Sequence, residues 1–158
     1  MKCYLLSAAT CFLLALTTFG AGCDSLDDET DLFLMTATID GEEWEGSAYG
    51  FLQNDTLLIV GERRTNEIQQ IVVLLPDYEG PEIYTIAEEE GLYLTAGQDT
   101  SVYYSTEAET NELILESIDL DALIADGTFS FSVQADSTTP PIGITNGRFK
   151  TRIQARGL

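Results

Sequence analysis

From Leu32 to Gln154 the apolar residues of this chain recur at every second position, in short runs cut by turn-forming residues. That period belongs to β-strands, whose side chains alternate between two faces. Gly127–Ala135 is the cleanest case, with Phe129, Phe131 and Val133 on one face and Ser130, Ser132 and Gln134 on the other. Leu32–Ile39 repeats the pattern, setting Phe33, Met35, Ala37 and Ile39 against Leu34, Thr36 and Thr38. Further strands are expected at Ser47–Leu52, Thr56–Gly61, Glu67–Leu75, Ile83–Ile86, Leu92–Thr95, Ser101–Ser105 and Leu113–Ile118, with a last one from about Ile144 to Gln154. Ile71–Leu75 is apolar on both faces, as a central strand would be. Asp40-Gly41 and Gln53-Asn54-Asp55 are turn signals, and Asp119–Asp126 reads as one helical turn or a tight loop. The spacing leaves no room for the helices of a parallel sheet, and there is no internal repeat. The expectation is all-β: a single antiparallel β-sandwich or barrel of roughly eight to ten short strands.

What precedes the strands places the chain in the cell. Lys2 is followed by a sixteen-residue apolar run, Tyr4–Phe19, and then by Gly20-Ala21-Gly22-Cys23. The run is short for a membrane span, which needs about 20 residues, and its small-residue exit is that of a cleaved signal peptide. Cys3 and Cys11 fall within it, so cleavage before Cys23 would leave one thiol, a group that a secreted protein modifies or pairs. Acylation of Cys23 by the lipoprotein route resolves this, although Gly20 stands where a typical lipobox has Leu. Ordinary cleavage with a free Cys23 is the alternative. The expected organisation is a signal peptide over 1–22, a lipidated cysteine and acidic tether over 23–31, and a β domain over 32–158.

Charge excludes some partners. Removing residues 1–22, whose one charge is Lys2, takes the formal net charge from −20 to −21. Such a chain repels nucleic acid and anionic lipid head groups. Four of the six remaining basic residues are Arg148, Lys150, Arg152 and Arg156, and the first three alternate along one strand and share a face. They form either a binding stripe for an anion or partner or a set of cross-strand pairs with acidic side chains. Trp44 and the adjacent Tyr103 and Tyr104 are the candidate aromatic contacts. Trp44 suits the end of a core better than an exposed platform, whereas of two neighbouring strand tyrosines one points outward.

Catalytic chemistry finds little to work with. The chain has no histidine, which removes Ser-His and Cys-His machinery and the commonest metal ligand. Lys150 is the single lysine beyond the signal peptide. Asp119-Leu120-Asp121 with Asp126-Gly127 faintly resembles a calcium loop but lacks its ligand spacing and its closing Glu, so a surface turn is expected. No catalytic residue, metal ligand or cofactor is assigned, and an enzyme is not expected.

Met35-Thr36-Ala37-Thr38-Ile39-Asp40-Gly41-Glu42-Glu43-Trp44 resembles the opening strand, of form F-x-A-x-(V/I)-(N/D)-G-x-x-W, of a family of small Bacteroidota-type lipoproteins of unknown function. Gly127-Thr128-Phe129-Ser130-Phe131 and Ile144-Thr145-Asn146-Gly147-Arg148-Phe149 resemble that family's closing strands. The resemblance implies one β domain, a lipid anchor and no assigned activity. The acidic run Asp24–Asp31 resembles the export signal that sends such lipoproteins to the outer face of the outer membrane, whereas by the enterobacterial convention Asp24 would signal retention in the inner membrane. The functional expectation is therefore an extracytoplasmic lipoprotein held through Cys23, acting as a surface interaction or accessory module for an unknown protein or small-molecule ligand. The alternative is a small-ligand carrier with a calycin-like barrel cavity. A filled core would favour the first, and a continuous cavity of a few hundred Å³ the second.

Overall fold

The computed structural model describes residues 33–107 and 110–155. The signal peptide, Cys23, the tether and Arg156 lie outside the described residues. Among the described residues there is no helix, and the ten strands form one sheet. In chain order they are β1 (Leu34–Ile39), β2 (Glu42–Gln53), β3 (Thr56–Arg64), β4 (Ile68–Leu75), β5 (Ile83–Thr85), β6 (Gly91–Ala96), β7 (Thr100–Ser105), β8 (Glu112–Asp119), β9 (Ile124–Gln134) and β10 (Ile142–Ala155).

Hairpins carry the chain from β1 through β2 and β3 to β4, and β6, β7, β9 and β10 continue the ladder until β10 meets both β1 and β2. The sheet thereby closes into a ring, which removes the exposed edges an open sheet would present. All pairings are antiparallel except one. Because β1 is only six residues long, β2 and β10 run on past it and pair directly in parallel, Arg152 opposite Tyr49 and Ile153 opposite Gly50. β8 and β5 form a flap that continues the sheet from β9. The free edge of β9 is shared, Ile124–Ser130 facing β8 and Val133–Gln134 facing β7.

The turns explain the register. Asp40 and Gly41 have φ of 50° and 87°, and Asn54 and Asp55 have φ of 49° and 60°. Two successive left-handed residues make the two-residue hairpin turn whose twist matches that of the strands it joins. β2 begins at Glu42, well before the expected Ser47, so Trp44 is a strand residue directly opposite Ala37. Asp119–Asp126 divides at Leu123: residues 120–123 are a turn, and Ile124 already belongs to β9.

The alternating residues face in as their period predicts. Met35, Leu57, Ile59, Ile71, Val73, Phe129, Phe131, Val133, Ile144, Phe149 and Ile153 are all buried. Each large apolar side chain removed from water in this way contributes about 1.5–3 kcal/mol. The rings fit because glycines lie beside them, directly opposite on the neighbouring strand for Phe129 and Phe149 and two residues along the same strand for Trp44. A methyl group added at Gly91 would lie 2.8 Å from the ring of Phe131, and one added at Gly127 would lie 2.9 Å from the ring of Phe149. At Gly147 it would come within 2.5 Å of Phe129, and at Gly46 within 2.8 Å of Trp44. Aromatic side chains therefore occupy the volume that β-carbons at these neighbouring positions would otherwise take.

Candidate functional site

Two surfaces collect the chemistry. One lies at the end of the barrel where the loops 40–41, 65–67, 97–99 and 135–141 project. The other is the outer face of β10.

At the loop end, β3 and β4 set Arg63 directly opposite Gln69, and both continue the inward-facing parity of their strands. The ring of Trp44 lies beneath them, 2% exposed. Its indole N–H donates to Gln69 Oε1 at 3.1 Å. Arg63 Nε donates to the same oxygen at 3.0 Å, and Arg63 Nη2 also donates to it. Gln69 Nε2 in turn donates to Glu67 Oε1 at 3.2 Å. The guanidinium carbon of Arg63 stands 5.8 Å from the centre of the Trp44 ring, a cation–π contact of about 0.5–1 kcal/mol at a partly exposed position. One amide oxygen thus closes the end of the core by gathering three N–H donors.

Tyr93 and Tyr103 continue this layer, directly opposite each other on β6 and β7 with ring centres 5.9 Å apart. Burial pushes the Tyr93 hydroxyl above its ordinary value, and Glu67, Tyr103 and Glu42 add to that while Arg63 opposes it. Tyr104, the next residue, points outward and is 45% exposed. Of the three candidate aromatic contacts, then, Trp44 belongs to the core, Tyr103 is half-buried in the end layer, and Tyr104 is open to solvent.

A cleft of about 630 Å³ runs over the β1–β2 hairpin beside this end. Thr36, Thr38, Glu43, Glu45, Arg63 and Asn146 contribute its polar wall. Asn146 reaches it because β10 bulges there. The pairing with β9 slips between Ile144 and Gly147, and Asn146 adopts φ of 52°. Its Nδ2 donates to Thr38 Oγ1 at 3.4 Å. Among the described residues the one ion pair is Arg64 with Glu62, at 2.5 Å. The Arg64 and Gln70 hydrogen bonds to Glu62 hold its carboxyl below the usual range.

On the outer face of β10, Arg148, Lys150 and Arg152 are all exposed and share one side, as their alternation requires. None of the three makes an ion pair within the described residues. Lys150 lies opposite Asp126, but that carboxylate accepts the Ser117 hydroxyl at 2.9 and 3.0 Å. Arg152 stacks on the ring of Phe33 at 5.0 Å. Arg148 and Lys150 line a cleft of about 350 Å³ that Glu116 and Asp126 also enter, so the stripe has mixed charge.

The expected surface turn at Asp119 is seen in its hydrogen bonds: Asp119 Oδ1 accepts the backbone N–H groups of Asp121 and Ala122 at 2.9 and 2.8 Å. Reading by residue type missed Arg63 and Gln69. Their parity relative to Ile59 and Ile71 would have found them, since both stand on inward-facing positions where a lone polar side chain needs a partner.

These features define a class, a closed β-barrel with a side-chain-filled interior and a polar, aromatic-floored end. Compared with protein-family models, curated proteins and solved structures, the chain gives no match to any of the three.

Proposed function

We propose that the protein is an extracytoplasmic lipoprotein, cleaved before Cys23 and held to its membrane by acylation of that residue. Its β domain serves as a rigid scaffold for recognition at the cell surface, an interaction or accessory module rather than an enzyme or a carrier. The similarity to small Bacteroidota-type lipoproteins and the acidic run behind Cys23 favour the outer membrane and its outer face. With a net charge of −21, the ligand is a protein or a small molecule and not a nucleic acid.

The observation that carries this reading is the filled interior. A carrier of small apolar ligands encloses a cavity of about 300–1,000 Å³, and here the corresponding space holds Trp44, Phe129, Phe131 and Phe149 packed against neighbouring glycines. The clefts at the loop end and along β10 open outward and are lined by hydroxyls, carboxylates and guanidinium groups. Polar walls over a rigid floor suit recognition of a polar surface, and function on such a scaffold belongs to the exposed site rather than to the fold.

Native mass spectrometry of the full protein, released gently in mild detergent from the cells that make it, tests the reading. An acylated chain with no further adduct, cross-linked in those cells to an envelope protein through the Glu43–Arg63 cleft, is the expected result. A stoichiometric small molecule that departs only on unfolding would overturn it in favour of the carrier.

A further inference from the structure

Closure of the ring leaves a strand edge outside it. β5 ends the ladder beyond β8, and among the described residues no strand pairs with its other side. Register shows which of its backbone groups are spent. The Leu115 N–H donates to the Glu82 carbonyl at 2.9 Å, and the Ile86 N–H donates to the Asn111 carbonyl at 3.0 Å. In an antiparallel pair every second residue exchanges hydrogen bonds with the partner, so Glu82, Tyr84 and Ile86 turn their backbone groups toward β8. Those of Ile83 and Thr85 turn the other way, two N–H donors and two carbonyl acceptors spread over about 6.8 Å of edge. None of the four pairs with another backbone group among the described residues.

This stretch of edge is bounded and held still. Pro81 has no N–H to offer on the side where the chain enters. Where it leaves, the Ala87 N–H donates to Glu90 Oε2 at 2.8 Å and the Ala87 carbonyl accepts the Ser105 hydroxyl at 2.5 Å. The Tyr84 hydroxyl accepts the Gly80 N–H at 3.2 Å and donates to the Gly80 carbonyl at 2.5 Å, which ties the incoming loop to the strand. Ile86 is buried in the core and Tyr84 packs against it, so the back of the strand is fixed as well. A strand this short is guarded against pairing edge to edge with a whole sheet. It remains open to a short extended peptide, whose main chain can use the four groups that are left and meets a strand already ordered.

The flanks say which peptide. Ile83 is 67% exposed, more than any other large apolar side chain among the described residues. A residue of an added strand directly opposite Ile83 would share its face and cover it. Asp77, Glu79, Glu82, Glu88, Glu89 and Glu90 flank the strand in the chain, and no basic residue occurs from Asp77 to Glu90. Along the ladder the row of Ile83 continues through Ile114 and Thr128 to Arg148, so its first basic side chain stands on the third strand away. That is about 14 Å, beyond the screening length of about 8 Å at physiological salt. A cationic segment is therefore attracted, whereas a second copy brings the same six carboxylates and is repelled.

We propose that the outer edge of β5 takes an extended basic segment of a partner protein as an added strand, with an apolar residue opposite Ile83 and lysine or arginine toward Glu82 and Glu88–Glu89. The edge is a different surface from the Glu43–Arg63 cleft, none of whose residues belongs to β5 or β8. The two readings therefore fail independently.

The test uses the full protein in mild non-ionic detergent and, as the probe, a short blocked peptide of alternating valine and lysine. Binding is read by calorimetry, and hydrogen exchange of the Glu82–Ile86 segment by mass spectrometry. The Ile83 and Thr85 amides, fast in the free protein, should exchange slowly with peptide bound. Methylating the valine nitrogens removes the N–H groups that face β5 when valines lie opposite Ile83 and Thr85, and methylating the lysine nitrogens spares them. Both peptides keep the same charge. Loss of two backbone hydrogen bonds should weaken the first about tenfold relative to the second. Thr85→Pro, which withdraws one outward N–H and none of the bonds to β8, should weaken the unmethylated peptide severalfold at an unchanged urea midpoint. The methylated pair needs no variant, so it decides the matter whether or not Thr85→Pro folds. Equal binding of the two methylated peptides, or binding without slowed exchange in β5, would overturn strand addition and assign the attraction to charge alone. Absence of binding would overturn the proposal outright. Slow exchange in β5 together with a doubled mass, both without peptide, would assign the edge to a second copy instead.

Discussion

If rings seated on glycines fill the barrel, the seat and the ring must be energetically coupled, and Gly147 with Phe129 is the sharpest place to measure it. Gly147 lies in β10 opposite Phe129 and has no left-handed φ, so alanine is compatible with its backbone. The obstacle is steric. The new methyl carbon would fall within 2.5 Å of the Phe129 ring edge, and that ring, 3% exposed, is held between Phe131 at 5.9 Å and Phe149 at 6.4 Å. Overpacking of this kind costs about 1–3 kcal/mol, so Gly147→Ala should lower stability by about 2 kcal/mol. Phe129→Ala alone should cost about 3–5 kcal/mol through lost burial and the void it leaves. In the Phe129→Ala background the clash is gone. Gly147→Ala should then be neutral, or stabilising by about 0.4–1 kcal/mol, because alanine restricts the unfolded chain. The coupling between the two sites is therefore about 2–3 kcal/mol. Urea unfolding of the four proteins, with equal m-values as the check on two-state behaviour, gives each term. Equal cost of Gly147→Ala in both backgrounds would refute the ring-on-glycine account of the core.

Gln69→Leu removes the acceptor shared by Trp44 and Arg63 and should cost about 1–3 kcal/mol. As Trp44 is the one tryptophan, its fluorescence should shift to the red as the end layer loosens, and an unshifted spectrum with unchanged stability would argue against the clasp. Gly41→Ala places a β-carbon at φ 87° and should cost about 1–2 kcal/mol, read as a lower urea midpoint at constant m-value. The folded-state pKa of Glu62 lies below its unfolded value, so its contribution is present above the usual carboxylate range and is lost as pH falls through the lower folded value. Its partner Arg64 is largely exposed and salt screens the pair, so Glu62→Gln should flatten the acid limb of the stability curve at low ionic strength and change it less at high salt.

How much of this was legible in the sequence differs by level. The inward residues of β1 and β9 follow from alternation alone, because a strand with one dry face must repeat every second residue. Asp40-Gly41 marked its hairpin because few residue pairs tolerate two left-handed φ values in succession. Closure of the ring was not legible. It depends on β10 reaching β2 beyond the end of β1, a contact between residues about a hundred apart that no local pattern encodes. The partners of Arg148–Arg152 were not legible either. Lys150 does face Asp126 across the ladder, but Ser117, on the neighbouring strand, takes that carboxylate. Ile71–Leu75 carried a further signal. Two-sided apolarity pointed to a central strand, and β4 does lie between β3 and β6, yet among the described residues no second layer covers the face at Val72 and Leu74.

That unshared face changes what the acidity of the chain means. Charge spread evenly over a barrel would keep every approach equally unfavourable, and its reach would be set by the screening length, about 8 Å at physiological salt. Here register sets Tyr49, Val60, Val72, Leu92 and Tyr104 in one row with Glu62 in the next, so the outer side of these strands carries fewer negative groups than the loops. The loop end is the opposite case. Glu42, Glu43, Glu45 and Glu67 surround the Trp44–Arg63–Gln69 clasp, and Arg63 already spends two of its N–H groups on Gln69. An anion approaching there meets one guanidinium among four carboxylates. The ligand that fits is uncharged or cationic and rich in hydrogen-bonding groups, which sets the loop end apart chemically from the apolar face.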